Sequence, residues 1–183
     1  MKLFLKFIFA FIIFSFQLKA DVVKNIVVEG NKRVSSETIK LFSEVEINQD
    51  LNINDLNEVI KKLYNTNFFT DVTIDLKNNV LNISVTENPI IQTLEFKGVK
   101  NKRIINLLRE QVELREKNSF IENLVKKDKE KITNILRTNG YYFSKVSPKI
   151  KNNDNNTIDL IYEVELGEKA FIKKITFIGD KNI

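Results

Sequence analysis

The chain has 183 residues, 43% of them hydrophobic, with 29 basic and 24 acidic side chains for a formal charge of +5, and it contains neither cysteine nor histidine. Disulfides, ordinary zinc and copper sites, cysteine or histidine nucleophiles and Ser-His-Asp triads are thereby excluded, and each domain must be held by its own apolar core. The modest net charge is no nucleic-acid footprint, which requires basic residues massed on one face.

Residues 1–20 read as a secretory signal. Lys2 and Lys6 precede an apolar stretch from Phe7 to Phe16, and Ala20 supplies the small residue at the expected cleavage point. The apolar run is shorter than the roughly 20 residues a membrane span requires, so export with cleavage is preferred to anchoring. Cleavage would remove three lysines and no acid, lowering the formal charge to +2.

A phrase then recurs three times: IVVEGNKRV at 26–34, LEFKGVKNK at 94–102 and ITFIGDKNI at 175–183. Each is an alternating strand that runs into a turn glycine, Gly30, Gly98 or Gly179. The second and fourth residues before each glycine are apolar (Val28 and Ile26, Phe96 and Leu94, Phe177 and Ile175), which predicts one buried face in every copy. Glycines 68 and 81 residues apart suit tandem small domains, since solenoid repeats are far shorter.

In the first repeat, Ser35 is a candidate N-cap, with Val34 and Ile39 as a hydrophobic staple. Residues 48–52 read as a loop. Leu56, Val59, Ile60, Leu63 and Tyr64 mark the inner stripe of a second helix, which Asn67 can close by turning left-handed. Val72, Ile74 and Leu76 then alternate with Thr73, Asp75 and Lys77, Asn78-Asn79 makes a turn, and Leu81, Ile83 and Val85 return. The order is strand, helix, helix, strand, strand, giving an α+β domain over 21–88, and Pro89 keeps the joint extended.

Residues 89–168 follow the same plan. A strand over 90–97 leads to a helix with Ile104, Ile105 and Leu108, then to a longer helix with Leu124, Ile132, Ile135 and Leu136 that Gly140 closes. Tyr141, Tyr142 and Phe143 are expected beneath the hairpin formed by Val146–Lys151 and a last strand with Ile158, Leu160, Tyr162 and Val164. Lys126, Lys127, Lys129 and Lys131, interleaved with Asp128 and Glu130, predict a solvated helix face. Residues 169–183 are expected to open an incomplete third domain, with a strand over Phe171–Ile178 and no hairpin to complete its sheet. A truncated coding sequence is the simplest account of that arrangement.

The phrases VVEGNKRVSSETI, LYNTNFFTDVTI, VTENPIIQTLEFKG, LRTNGYYFSKV and VELGEKAFIKKITFIGD touch, in order, every strand and joint from Val22 to Asp180. Together they resemble the N-terminal POTRA repeats of the BamA family of outer-membrane assembly factors. Asn67 stands where the family usually has glycine, Asn88 where it has a basic residue, and Val99 where it has asparagine.

The resemblance implies tandem POTRA domains, each a small mixed three-stranded sheet covered by two helices, at the periplasmic face of the outer membrane. It implies that they receive unfolded outer-membrane β-barrel proteins and dock accessory lipoproteins, while a barrel beyond these residues meets the membrane. No catalytic residue, cofactor, metal or nucleic acid is implied. An unpaired strand edge can accept an extended chain, and the family places that edge after the second helix. Here it comprises Asp71, Val72, Thr73, Ile74, Asp75, Leu76 and Lys77, then Lys145, Val146 and Ser147 on to Lys151. Pro148 removes a donor from the second edge, which ranks the first edge above it. The alternatives are the POTRA region of a two-partner secretion transporter, whose usual Pro-rich lead-in is missing here, and a stand-alone periplasmic chaperone.

Overall fold

The structure is a computed structural model and describes residues 21–171, 173–176 and 179. The expected signal and its cleavage point at Ala20 lie outside the described residues. The chain divides into two compact units, one ending at Glu87 and one beginning at Asn88.

In the first unit the elements are β1 (Asp21–Val22), β2 (Asn25–Glu29), α1 (Ser36–Ser43), β3 (Asp50–Leu51), α2 (Ile53–Asn65), β4 (Phe69–Lys77) and β5 (Val80–Glu87). The sheet order is β2-β5-β4, with β2 parallel and β4 antiparallel to β5. That register places Ile26, Leu81 and Leu76 in one row and Val28, Ile83 and Ile74 in the next. One face of the sheet is thus apolar, and Ile39, Val59 and Leu63 from the two helices complete the core over it.

Local chemistry sets the helix ends. Ser35 Oγ accepts the Thr38 N–H at 3.2 Å and caps α1. Asn52 and Asp55 form a reciprocal capping box at α2, with bonds of 3.3 Å from the Asp55 N–H to Asn52 Oδ1 and 2.9 Å from the Asn52 N–H to Asp55 Oδ2. Asn78 and Asn79 both adopt positive φ, 52° and 66°, in the tight turn between β4 and β5. The Asn79 carbonyl also accepts the Lys24 N–H at 2.7 Å, so the hairpin turn holds the start of β2.

The second unit contains β6 (Ile90–Lys97), α3 (Lys102–Gln111), α4 (Glu122–Thr138), β7 (Lys145–Asn153) and β8 (Thr157–Glu165), with sheet order β6-β8-β7. Its core joins Leu94, Phe96, Leu160 and Tyr162 of the sheet to Ile104, Leu108, Ile132 and Leu136 of the helices. The Phe96 and Tyr162 rings stack at 5.8 Å. Again the hairpin turn holds the first strand, the Asn156 carbonyl accepting the Ile90 N–H at 3.0 Å. Both units are thus α+β, a mixed three-stranded sheet with two helices.

Five expectations need correction. The 48–52 stretch is not wholly loop: β3 pairs with β1, because Leu51 has a core position to fill and the Asn48 N–H and Gln49 carbonyl bond Val23. Tyr64 sits at the rim of the helical stripe, 36% exposed, with its hydroxyl engaged at the sheet edge. Only Tyr141 of the three consecutive aromatics packs on the core, while Tyr142 and Phe143 are exposed in the turn that follows Gly140.

Asp128, expected on a solvated face, is fully buried. It accepts the N–H groups of Glu113 and Leu114 at 2.7 and 3.0 Å, closing the turn after α3, and lies 3.4 Å from the Tyr162 hydroxyl. Finally, Phe171 and Lys173–Thr176 form no strand, and Ile175 is exposed where burial was expected. A strand exists only through a ladder partner, and these residues have none among those described. The remainder of the expected 171–178 strand lies outside the described residues.

Candidate functional site

In the first unit the strand after α2 lies at an edge of the sheet. Phe69 anchors the start of β4 in the core, and the register slips by one residue between Phe69 and Asp71. Beyond that bulge the Val72 N–H donates to the Tyr64 hydroxyl at 3.1 Å, so the Val72 backbone points away from β5. Antiparallel strands alternate inward and outward backbone groups. Ile74 and Leu76 therefore also point outward, while Asp71, Thr73, Asp75 and Lys77 bond β5. On the helix side the edge shows buried Val72 and half-buried Ile74 and Leu76. On the open side Asp75 and Lys77 form a 2.7 Å ion pair.

β7 takes the same place in the second unit. It pairs with β8 over nine residues without a register break, Pro148 lying opposite Tyr162. A residue without an N–H can sit in an unbroken ladder only on its outward side. The outward set is then Val146, Pro148, Ile150 and Asn152, and one donor is missing from it. Lys145, Ser147, Lys149 and Lys151 are exposed on the open face of the sheet. There Glu163 bridges Lys149 at 2.7 Å and Lys97 at 3.2 Å, and these lysine hydrogen bonds hold its carboxyl below the usual range.

The opposite edge of this sheet is occupied. The Ile91 N–H donates to the Asn118 carbonyl at 3.0 Å, and the Ile91 carbonyl accepts the Lys117 N–H at 2.8 Å. At Leu94 two side chains substitute for a neighbouring strand: Glu116 accepts its N–H at 3.1 Å and Arg109 donates to its carbonyl at 3.1 Å. The Leu94 N–H, aided by Arg109, outweighs desolvation and lowers the Glu116 pKa. β7 is thus left as the open edge of that unit. No local sequence signal marks Glu116 and Arg109, because their partner is a backbone brought near by tertiary packing.

The turn residues have separate structural duties. A Cβ on Gly30, at φ +82°, would lie 2.2 Å from the Val85 carbonyl oxygen, and one on Gly98, at φ +97°, only 2.0 Å from that of Val164. Asn67 and Gly140, both left-handed, end α2 and α4. The Gly140 carbonyl accepts the Ala170 N–H at 2.8 Å, and Lys169 lies over the Tyr141 ring. Gly179 has open space around its Cα.

Glu87 is the group that sequence reasoning passed over, since it falls at the joint that Pro89 keeps extended. Its buried carboxylate accepts the N–H groups of Lys32, Arg33 and Val34 at 2.8, 2.8 and 2.9 Å and pairs with Arg33 Nε at 3.0 Å. Burial alone would raise its pKa, but the three backbone donors and Arg33 together bring it below the ordinary value. Glu87 thereby ties the end of β5 to the turn after β2. Among the described residues no group of acidic side chains could hold a metal ion, and no helix is long and apolar enough to cross a membrane.

The POTRA family profile, described as surface antigen variable number repeat, matches residues 22–88 and again 89–167. A curated relative, outer membrane protein assembly factor BamA of Neorickettsia risticii, is 30% identical over 88% of this chain and 22% of its own length. The protein of the same name from Neisseria meningitidis serogroup B is 26% identical over 87% of this chain and 20% of its own length. The chain thus spans about a fifth of these relatives. The N-terminal domain of Omp85 from the thermophilic cyanobacterium Thermosynechococcus elongatus superposes with a TM-score of 0.52 at 16% identity, covering 80% of this chain and 63% of that one. That likeness speaks to the fold.

Proposed function

The chain belongs to the POTRA family, and from that premise we propose that its two repeats form a periplasmic, non-catalytic scaffold of the outer-membrane assembly machinery. Its relatives are named as assembly factors of outer membrane proteins. In this reading the repeats receive unfolded outer-membrane β-barrel proteins and dock accessory lipoproteins, with domains spanning 21–88 and 89–168. In this reading, any insertion step is assigned to the roughly four-fifths of the relatives' length that this chain does not span.

The observation that carries the reading is the outward backbone of β4 at Ile74 and Leu76, with β7 as its counterpart. Such an edge recognises main chain, which suits clients that share β-propensity more than sequence. Alternating apolar residues on a client strand would extend the row of Ile74 and Leu76 over the helices, while its polar residues would meet Asp71 and Thr73.

The test is capture of a urea-diluted outer-membrane β-barrel protein by photo-crosslinkers placed at Thr73, at Lys149 and at Lys61 on the exposed face of α2. Capture is expected at Thr73 and Lys149, and Ile74→Pro should reduce capture at Thr73 about fivefold or more by removing an outward donor. Equal capture at Lys61, or indifference to Ile74→Pro, would overturn the edge as the binding site.

A further inference from the structure

The Tyr64 hydroxyl makes two bonds at the sheet edge, accepting the Val72 N–H at 3.1 Å and lying 3.3 Å from Asp71 Oδ1 as donor. The first occupies a backbone group that a guest strand would otherwise use. We propose that Tyr64 is a built-in stop that sets the register of a strand bound on β4, excluding it from Val72 and making Ile74 its first pairing position. This rests on the edge reading above.

Three features support it. Tyr64 stands on the last turn of α2, so a rigid element carries the hydroxyl to the strand. The bulge at Thr70 interrupts the regular ladder just before Asp71, so the stop stands where regular strand geometry begins. In the second unit the residue at the same distance before the helix-closing turn is Arg137, and the interruption is supplied by Pro148 instead. Both edges therefore lose one outward donor near the start, by a side chain in one unit and by backbone chemistry in the other. Each retains two consecutive outward donors, Ile74 and Leu76 or Ile150 and Asn152. The fitting partner is a short extended segment that needs few main-chain bonds.

The experiment uses the full 15N-labelled chain and a ten-residue peptide of alternating valine and threonine with lysine at both ends. In the free protein, Tyr64→Phe should speed exchange of the Val72 amide about tenfold or more and leave the amides bonded to β5 unchanged. On titration, Tyr64→Phe should bind the peptide about three- to tenfold more tightly, and the perturbed amides should extend from Ile74 to Val72. Tyr64→Ala should show the same extension if the ring itself adds no barrier. Unchanged Val72 exchange would overturn the proposal, as would equal affinity with an unchanged footprint. If the peptide perturbs β4 in neither protein, the edge reading itself fails, and the exchange result would then describe only an internal hydrogen bond.

Discussion

Two carboxylates show how much a single side chain can organise. Asp128 is held among a helix, a turn and Tyr162, and burial, with Asp128 beside it, pushes the Tyr162 pKa far upward. Asp128→Ala would leave two turn N–H groups unpaired and is expected to cost about 2–4 kcal/mol. Asp128→Asn should cost about half as much, and exposed Glu130→Ala should stay within about 0.5 kcal/mol, all measured by urea unfolding.

Glu87 makes a prediction with a definite pH sign. Its carboxyl lies below the ordinary 4.5 in the folded protein. Its stabilisation is therefore complete above that value and is lost as pH falls through the lowered one. Unfolding of the first unit at pH 7 and at pH 3 should show wild type ahead of Glu87→Gln by about 1–2 kcal/mol at the higher pH, with the gap closing at the lower. A gap independent of pH would mean that the ionised form is not what the three amides recognise. Neither residue was legible in the sequence as a buried acid. Asp128 sits in a run of lysines and Glu87 ahead of a proline, and in both cases the partners are backbone groups supplied by another element.

At the level of elements, periodicity told most of the story. The rows Ile26–Leu81–Leu76 and Val28–Ile83–Ile74 follow from alternation, and Val59 and Leu63 from helical spacing. What alternation could not reveal was the β1–β3 pair, two residues a side, which is below any periodic signal. Nor could it show that Tyr64 leaves the inner stripe to reach a strand edge. The preference for β4 over β7 rested on Pro148 alone. With Val72 already occupied, β4 keeps the consecutive outward pair Ile74 and Leu76, while β7 keeps the pair Ile150 and Asn152 with Val146 before its proline.

The β2 and β6 strands end at glycines under the same constraint, which is why the repeated phrase was so visible. Gly98→Ala would drive a Cβ to 2.0 Å from the Val164 carbonyl oxygen at a positive φ. The expected loss exceeds about 2 kcal/mol, read as a lower urea midpoint for the second unit. Gly140→Ala meets the flexible Lys169 side chain at 3.0 Å instead and should cost less.

For the molecule as a whole, the two cores draw on separate residue sets, one within each unit. Destabilising one should leave the other standing. In Asp128→Ala, amide exchange at Leu160 should accelerate while exchange at Ile83 in the first unit keeps its wild-type rate; parallel acceleration at both would show a single cooperative fold.

The parallel pairing has a consequence for the order in which the chain can fold. In each unit the central strand is the last one made: Ile26 meets Leu81 only 55 residues later, and Leu94 meets Leu160 only 66 residues later. Such a sheet cannot grow from its first strand, since the cost of closing that loop precedes any reward for it. The hairpin and the helix packed on it are the natural nucleus, and the opening strand waits unpaired until the final residues arrive. A protein proposed to shelter unpaired strands of others thus passes, at its own synthesis, through the same exposed condition.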